Sequence, residues 1–414
     1  MEFMAAPQTD DLANVASEEI AEIDALVQKV LDANLPEELK TRSLNMLNRL
    51  KRLAKYGYFS KEFEPVEKFI GWVIRIPWGK LSVDNLDLER VQKQLDSTHY
   101  GLQGVKERIL EYVAMLNLLT KQEKGEPIEP INSVPVASGD PSKPVLPPEV
   151  LAQPPAPAVV AEKPEVKTNA INKAPVICFV GVQGIGKTSI AKSIAAALGR
   201  KFIRIPLGGL ANVTELRGVV KSEVNSEPGQ IIKSFIRSEV MNPLILLDEI
   251  DKVSKENSVQ ADVMAVLLEI LDPEQNYSFV DHYLDYPVDL SKCIFICTAN
   301  NLGGISAALL DRLEVIRMIS YSDEEKIQIA RNYLLPHVMD EAGLTKENII
   351  FDDDVWPLVI RPMGFDAGIR QLERTLKMFV RKIAKKIVLK EGSSFRITKD
   401  NFKEYIPLDI GVFS

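Results

Sequence analysis

Apolar residues recur at the spacing of an α-helix along the first part of the chain. Residues 1–16 are small and polar, and we expect a disordered tail there, with Ser17 as the N-cap of the first helix. Pro36 opens a second amphipathic segment. We therefore predict a helical hairpin or coiled-coil arm over residues 17–57 and a helical neck over residues 58–97. The apolar face of the first helix comprises Ile20, Ile23, Val27, Val30 and Leu31.

A proline-rich stretch over residues 123–173 interrupts the helical pattern. Eleven of the 25 prolines lie between Lys121 and Lys173, and no aromatic residue does. Such a composition offers too little apolar surface to offset the conformational entropy lost on ordering. We therefore predict a mobile linker, inserted into a large domain that begins at residue 98.

Short apolar runs alternate with helical segments from Ala174 onwards. Continuous apolar runs suit strands buried on both faces of a parallel sheet, and helices between them imply right-handed connections. The pattern predicts an α/β fold, with the sheet in a large domain over residues 98–320. Beyond Ser322 no further strand is convincing, and we predict a small, mostly helical domain over residues 321–408, before a tail at 409–414. The predicted strands are Pro175–Val180, Lys201–Pro206, Leu244–Leu247, Cys293–Cys297 and Glu314–Met318.

Composition narrows the class of protein. The 414 residues are 46% hydrophobic and 26% charged, which excludes fibrous and wholly disordered chains. The net charge of −8 gives no bulk reason to expect nucleic acid as the main partner, and no apolar run approaches the ~20 residues that cross a bilayer. The first twelve residues lack the basic and apolar regions of a secretory signal, so we expect a cytoplasmic protein. We expect the three cysteines, Cys178, Cys293 and Cys297, to be small buried hydrophobic residues.

A glycine-rich loop follows the first predicted strand. Its sequence, GVQGIGKTS at residues 181–189, fits the pattern G-x4-G-K-[ST] between a strand and a helix. Backbone N–H groups of such a loop approach phosphate oxygens, Lys187 supplies positive charge to the β and γ phosphates, and the Thr188 hydroxyl can bind Mg²⁺. A merely structural glycine turn is the alternative, which the strand and helix context disfavours. The predicted nucleotide-binding residues of the loop are Gly181, Gln183, Gly184, Ile185, Gly186, Lys187, Thr188 and Ser189.

Two further predicted strands end in polar residues that suit hydrolysis of a triphosphate. Asp248 and Glu249 follow an apolar run, where Asp248 can bind Mg²⁺ and Glu249 can orient and deprotonate the attacking water. Asn300 follows the next strand, and its amide can contact the γ phosphate or position water. A strand that ends in acids by chance, or an Asn that starts a loop, is the structural alternative.

Arg312 and Arg370 could each direct a forked cation at a transferring phosphoryl group. Arg312 follows a short predicted helix, and Arg370 lies in the segment GIRQLER at the start of the last long helix. Surface ion pairs are the alternative for both, and spacing alone does not decide between the two roles.

The motifs together resemble the ATPase module of the Lon protease family, within the AAA+ class. The segments that carry the resemblance include GVQGIGKTS, LILLDEID, LDPEQNYSFVDHYL, ICTANN, ALLDRLEVIR and GIRQLERT. Upstream, LPEELKTRSLNMLNRL and the segment from IPWGK to KERILEYVA are similar to the helical neck of that family. The resemblance covers residues 18–405 except the proline-rich stretch. It implies an AAA+ P-loop parallel sheet with a small helical domain and an N-terminal helical arm.

The resemblance implies a role for each candidate residue. Residues 187–188 match Walker A, residues 248–249 match Walker B and Asn300 matches sensor 1. Arg312 matches the arginine finger that reaches the nucleotide of a neighbouring subunit, and Arg370 matches sensor 2. Family positions that line the adenine end of the nucleotide are matched by His99, Tyr100, Gly101, Leu102 and Tyr321.

The resemblance further implies ATP and Mg²⁺ as cofactors and a homo-oligomeric ring, expected to be a hexamer. In the family, ATP hydrolysis moves the small domain against the large one and pulls unfolded polypeptide through the pore of the ring. The peptidase domain of the family should begin near Asp409, so we expect no proteolysis from these residues. We likewise expect the globular substrate-binding domain that usually precedes the helical arm to be absent.

The chain departs from the family pattern at the pore loop. The family places an aromatic and then an aliphatic residue there to grip the substrate, whereas this chain has Glu223 and Val224. A carboxylate cannot provide the apolar contact area of an aromatic ring. Either another residue grips the substrate, or the loop tolerates variation, or the chain does not thread polypeptide.

Three functions follow as hypotheses. The first is an ATP-driven remodeller that unfolds or translocates proteins. The second, which Glu223 favours, is a regulatory or assembly ATPase without processive unfolding. The third is a DNA-linked motor, supported by the basic residues of the last long helix but disfavoured by the acidic pore loop and the negative net charge.

Overall fold

The computed structural model of the chain describes most of the residues outside the proline-rich stretch. The described ranges are 9–54, 60–124, 174–210, 212–223, 225–253, 257–360 and 368–405. The predicted linker from residue 125 to residue 173, Val224 of the pore loop and the predicted tail at 409–414 therefore lie outside the described residues.

Three helices form the N-terminal arm: α1 (Thr9–Asp32), α2 (Glu37–Ala54) and α3 (Ser60–Arg75). The helix α2 begins directly after Pro36, as predicted. The expected disordered tail is wrong from Thr9 onwards, and Ser17 lies inside α1 rather than at its N-cap. Ala13 and Ala16 belong to a residue type that favours helix, so the small and polar composition of this segment was misleading.

The arm packs against the large domain. Ile23, Leu47 and Phe69 are fully buried in one apolar cluster that continues into the central sheet. Arg42 of α2 forms an ion pair with Asp285 at 2.7 Å. Burial of this apolar face fixes the arm to the body of the protein.

Five parallel strands form the central sheet, in the order β2-β3-β6-β1-β7. All five predicted strands are confirmed, with bounds that differ by at most two residues. They are β1 (Val176–Val180), β2 (Phe202–Pro206), β3 (Leu244–Asp248), β6 (Ile294–Ala299) and β7 (Leu313–Arg317). A short antiparallel pair that the sequence analysis did not predict, β4 (Phe279–Val280) with β5 (Pro287–Val288), lies between β3 and β6 in the chain.

Helices cover both faces of the sheet. The helix α6 contributes Ile190 and Ile194 to a core with the apolar residues of one sheet face, and α8 and α9 pack on the other face with the arm. Because all five strands are parallel, their carboxyl ends meet at one edge, where β1, β3 and β6 each lead into a predicted site segment. The helices of the large domain are α4 (Leu88–Thr98), α5 (Gln103–Lys124), α6 (Lys187–Leu198), α7 (Thr214–Arg217), α8 (Gln230–Ser238), α9 (Asn257–Leu271) and α10 (Ala307–Leu310).

The small domain contains helices and a two-stranded sheet. Its helices are α11 (Asp323–Ile329), α12 (Leu335–Glu341), α13 (Trp356–Ile360) and α14 (Arg370–Val388), with a π-helical turn between α11 and α12. The predicted mostly helical domain is confirmed, but it also contains a pair of strands that the sequence analysis did not predict, because β8 (Ile349–Phe351) pairs with β9 (Phe395–Ile397) in parallel. Each of these strands has three residues, which is too short for an alternating pattern to be recognised.

None of the helices in the described ranges is both long and apolar enough to span a bilayer.

The core of the small domain should depend on Phe379. This side chain is fully buried on α14, and its ring lies 5.4 Å from that of Phe351. We expect Phe379→Ala to lower the free energy of unfolding of the small domain by about 3–5 kcal/mol, because it leaves a cavity. Val388→Ala, on the same helix but 80% exposed, should change it by less than about 0.5 kcal/mol. Urea denaturation of both variants would test this, and equal midpoints would contradict the packing described.

Candidate functional site

The glycine-rich loop lies at the carboxyl edge of β1 and leads directly into α6. Gly184 and Gly186 have φ angles of 82° and 99°, a left-handed conformation that favours glycine. A Cβ atom at Gly181 would lie 2.6 Å from the carbonyl oxygen of Met318. The loop therefore needs glycine both for its backbone conformation and for its close contact with the segment after β7.

Lys187 is held at the mouth of this loop. Its side-chain amino group donates hydrogen bonds to the carbonyl oxygens of Gly181 and Val182 and to Asn300 Oδ1, the last two at 3.0 Å. Burial lowers the pKa of Lys187, and the nearby carboxylate of Asp248 opposes that shift. The lysine and the asparagine, 113 residues apart, thus meet at one point.

Thr298 joins the two acids at the end of β3. Its hydroxyl donates to Asp248 Oδ1 and accepts a hydrogen bond from the Glu249 amide at 2.9 Å. Glu249 has a φ of 59°, an uncommon conformation for a residue with a side chain, and its Oε1 pairs with Lys252 Nζ at 2.9 Å. Sequence reasoning missed Thr298, although it lies two residues before Asn300 on β6.

Arg204 is a second residue that the sequence analysis missed. It lies on β2, and its Nε and one terminal nitrogen both lie 2.6 Å from Asp248 Oδ2. The strand register pairs Arg204 with Leu246 and Pro206 with Asp248, so Arg204 and Asp248 point to the same face of the sheet. The contact depends on the register of β2 against β3, which no pattern in the sequence indicates.

Asn300 presents an unsatisfied donor. Its Nδ2 atom is buried and has no hydrogen-bond partner among the described residues, while its Oδ1 accepts from Lys187. A buried donor without a partner costs free energy. Its position therefore suits a ligand that supplies an oxygen acceptor.

A cavity of about 340 Å³ lies between the glycine-rich loop and the small domain. From the small domain, Ile369 donates its backbone N–H to the carbonyl oxygen of Gly184 at 2.9 Å, and Arg370 and Glu373 line the cavity. Leu334 and His337 also line it and were not predicted. The predicted residues that the cavity brings together are Gln183, Gly184, Gly186, Lys187, Thr188, Ser189, Asp248, Glu249, Asn300 and Arg370.

These groups fit a nucleotide with magnesium. The left-handed glycines, the ammonium group of Lys187 and the free Asn300 amide all favour phosphate oxygens. Thr188 and Asp248 offer hard oxygen donors to Mg²⁺. The described residues hold no group of three or more His, Cys, Asp or Glu side chains that could hold a metal ion by themselves. This agrees with the way Mg²⁺ is usually bound, through one or two protein oxygens together with substrate phosphates.

The five residues predicted at the adenine end fall into two groups. Gly101, Leu102 and Tyr321 line a second cavity of about 530 Å³, and the Tyr321 hydroxyl donates to the carbonyl oxygen of Ile185 in the loop at 3.2 Å. His99 and Tyr100 are not among the lining residues of either cavity. His99 is buried, with its Nε2 3.1 Å from Ser189 Oγ, and the Tyr100 side chain is exposed.

Arg312 lies apart from both cavities. It precedes β7, whose first residue pairs with the first residue of β1, so Arg312 lies near the edge of the sheet opposite the glycine-rich loop. Its guanidinium pairs with Asp272 at 2.7 Å. The geometry therefore does not bring Arg312 to the cavity of its own chain.

The predicted pore loop has a well-anchored base. The Val219 amide donates to the carbonyl oxygen of Glu227 at 3.0 Å, and Glu223 is exposed between these two residues. The fully buried Asp281 accepts hydrogen bonds from the backbone amides of Gly229, Tyr283 and Leu284, and these bonds partly oppose the burial that raises its pKa. Asp281 belongs to the segment DHYL, so that motif holds the base of the loop.

Comparison with known proteins supports a nucleotide-binding ATPase module. Residues 177–321 match the family described as ATPase family associated with various cellular activities (AAA). Residues 340–395 match the Lon protease AAA+ ATPase lid domain.

Several curated proteins are similar to nearly the whole chain. Lon protease 2 of Thermus thermophilus is 37% identical over 385 residues, which make up 93% of this chain and 42% of that protein. Lon protease 1 of Bacillus subtilis is 37% identical over 385 residues, 93% of this chain and 43% of that protein. The mitochondrial Lon protease homolog of Drosophila melanogaster is 36% identical over 379 residues, 92% of this chain and 32% of that protein. The chain thus spans less than half the length of each of these relatives.

The buried His99 should make stability fall in mild acid. Burial lowers the pKa of His99 from 6.5 to about 4, and the charge of Lys106 adds to that effect. The unfolded chain therefore binds a proton more readily than the folded chain. The stability that the neutral His99 contributes is complete above pH 6.5 and is lost as the pH falls towards 4. The slope is on the order of 1 kcal/mol per pH unit.

We expect His99→Gln to lose less stability than the parent protein between pH 7 and pH 5, measured by urea denaturation. His337→Gln, which changes an exposed histidine, serves as the control and should follow the parent curve. Parallel curves for the parent and His99→Gln would contradict the burial of a neutral His99.

Proposed function

We propose that this chain, which belongs to the Lon protease family through its AAA+ ATPase module, hydrolyses ATP with Mg²⁺ in order to remodel or translocate polypeptides. The observation that carries the proposal is one cavity between two domains that is lined by Lys187, Asp248, Glu249 and Asn300. A phosphate loop, two acids and a free amide at one point form the set that hydrolysis of a triphosphate requires.

The residues divide the reaction between them. Lys187 directs its charge at the β and γ phosphates, and Thr188 and Asp248 would hold Mg²⁺, which would supply neutralisation of the charge that develops on the phosphates. Glu249 orients the attacking water and accepts its proton, and Asn300 donates its free N–H to the γ phosphate or to that water. We propose that the adenine lies in the second cavity, against Gly101, Leu102 and Tyr321, with His99 behind Ser189 as a buried support.

We propose that the small domain moves in response to the state of the nucleotide. Arg370 lines the cavity from α14, and the amide of Ile369 is bonded to the loop. A change in the charge of the phosphates therefore acts directly on the small domain. We propose a homo-oligomeric ring in which Arg312 reaches the nucleotide of the neighbouring subunit, since it lies away from the cavity of its own chain.

The exposed Glu223 favours a second candidate function. An exposed residue of this loop would contact the substrate, and the carboxylate of Glu223 cannot provide an apolar contact. ATP turnover would then regulate assembly of the ring without processive unfolding. A hexameric ring, cytoplasmic location and the expectation of no proteolysis from these residues stay predictions, and we propose neither nucleic acid nor membrane as a partner.

Replacing the proposed base should stop turnover and spare binding. We expect Glu249→Gln to lower the rate of ATP hydrolysis by at least about 100-fold, because the amide cannot accept the proton. The affinity for a fluorescent ATP analogue should stay within about threefold, since the charges that hold the phosphates remain. Glu391→Gln, an exposed change on the small domain, should leave both quantities unchanged. Full turnover in Glu249→Gln would remove Glu249 from the role of base.

The pore loop separates the two candidate functions. If the chain threads polypeptide through a loop that Glu223 weakens, Glu223→Tyr should raise the rate at which it unfolds a tagged model protein, at unchanged ATP turnover. Glu391→Tyr adds the same ring elsewhere on the surface and should give no gain. No unfolding by the parent protein or by Glu223→Tyr, with ATP turnover intact, would support the regulatory function.

A further inference from the structure

We propose that Arg204 makes the cavity accept Mg²⁺ together with a nucleotide and reject free Mg²⁺. This inference rests on the nucleotide site proposed above and assigns to it a residue outside the phosphate loop and the acid pair. Arg204 is a specificity-determining residue for the form of the ligand, not a group that takes part in the chemistry.

The contact between Arg204 and Asp248 occupies one oxygen of the carboxylate. Two guanidinium nitrogens of Arg204 lie 2.6 Å from Asp248 Oδ2, while Oδ1 accepts the hydroxyl of Thr298. Charge-assisted hydrogen bonds of this kind are stronger than neutral ones. Mg²⁺ that used Asp248 as a direct ligand would therefore have to compete with a cation already bonded to it.

Cations pair with the acids of the cavity before any ligand enters. Arg204 pairs with Asp248 and Lys252 pairs with Glu249. Two more cations, Lys187 and Arg370, lie in the same cavity. Glu373, which also lines the cavity, pairs with Lys377. A free dication would therefore find every carboxylate that lines the cavity already paired with a cation, whereas a triphosphate brings its own negative charge.

Arg204 is the partner that can move. Its side chain is 49% exposed, on the edge strand β2, whereas that of Asp248 is 5% exposed. The guanidinium can turn towards solvent and stay hydrated there, while the buried carboxylate cannot follow. When phosphates and Mg²⁺ arrive together, Arg204 can release Asp248 Oδ2 to the metal.

The inference can be tested with two binding measurements. The first titrates Mn²⁺, as a probe for Mg²⁺, into the nucleotide-free protein and follows it by electron paramagnetic resonance. The second measures the affinity for a fluorescent ADP analogue, once with Mg²⁺ and once with EDTA. Neither measurement depends on turnover.

Arg204→Gln should weaken the preference of the cavity for metal together with a nucleotide over free metal. It leaves the buried Asp248 carboxylate without its cation, so we expect it to bind free Mn²⁺ at least about tenfold more tightly than the parent protein. Without metal, the same carboxylate repels phosphate, so affinity for the ADP analogue in EDTA should fall about tenfold. With Mg²⁺ present, that affinity should stay within about threefold of the parent value.

Two further variants control the interpretation. Arg204→Lys keeps the charge and should resemble the parent protein in rejecting Mn²⁺, and Arg381→Gln removes a charge from the exposed side of α14 and should change nothing. If Arg204→Gln matches the parent protein in both assays, or if Arg204→Lys behaves like Arg204→Gln, the inference is overturned. If instead the parent protein binds no ADP analogue in either buffer, the proposed function itself fails, and that result is distinguishable from the others.

Discussion

The hydrogen bond from the Ile369 amide to the Gly184 carbonyl oxygen joins the two domains at the cavity. Gly368 lies so close to this loop that a Cβ atom there would come within 2.6 Å of the Gln183 carbonyl oxygen. Because the contact is made by backbone on both sides, the loop cannot change shape without moving α14. The glycine loop thereby serves both as the phosphate cradle and as the contact point of the small domain. The central sheet supports one side of that point, and the compact core around Phe379 supports the other.

The sequence was sufficient for the parts of the fold that rest on long, regular patterns. Five apolar runs marked five strands, and each of the motifs that ended them reached the same edge because the strands are parallel. The phosphate loop could be located because its glycines, lysine and threonine occur at fixed spacing. The placement of Arg370 at the cavity followed from the family resemblance, since its spacing alone had left a surface ion pair open.

Other features depend on contacts between distant segments, which no local pattern records. Thr298 and Arg204 become neighbours of Asp248 only through the register of β2, β3 and β6. His99 matched an adenine position, yet packing places it behind Ser189 rather than in the cavity that Tyr321 lines. The strands β8 and β9 are separated by more than forty residues, and each is stabilised by the other rather than by its own composition.

Asp281 anchors the base of the predicted pore loop and leaves the exposed part of that loop unconstrained. Gly218 and Gly229 contact Asp281, and a side chain at Gly218 would collide with the carboxylate, so the base admits little change. Glu223 lies beyond this base and is exposed. Folding therefore places almost no constraint on the type of residue at position 223. A substitution at position 223 can therefore alter the surface that this loop presents while the base that Asp281 holds stays in place.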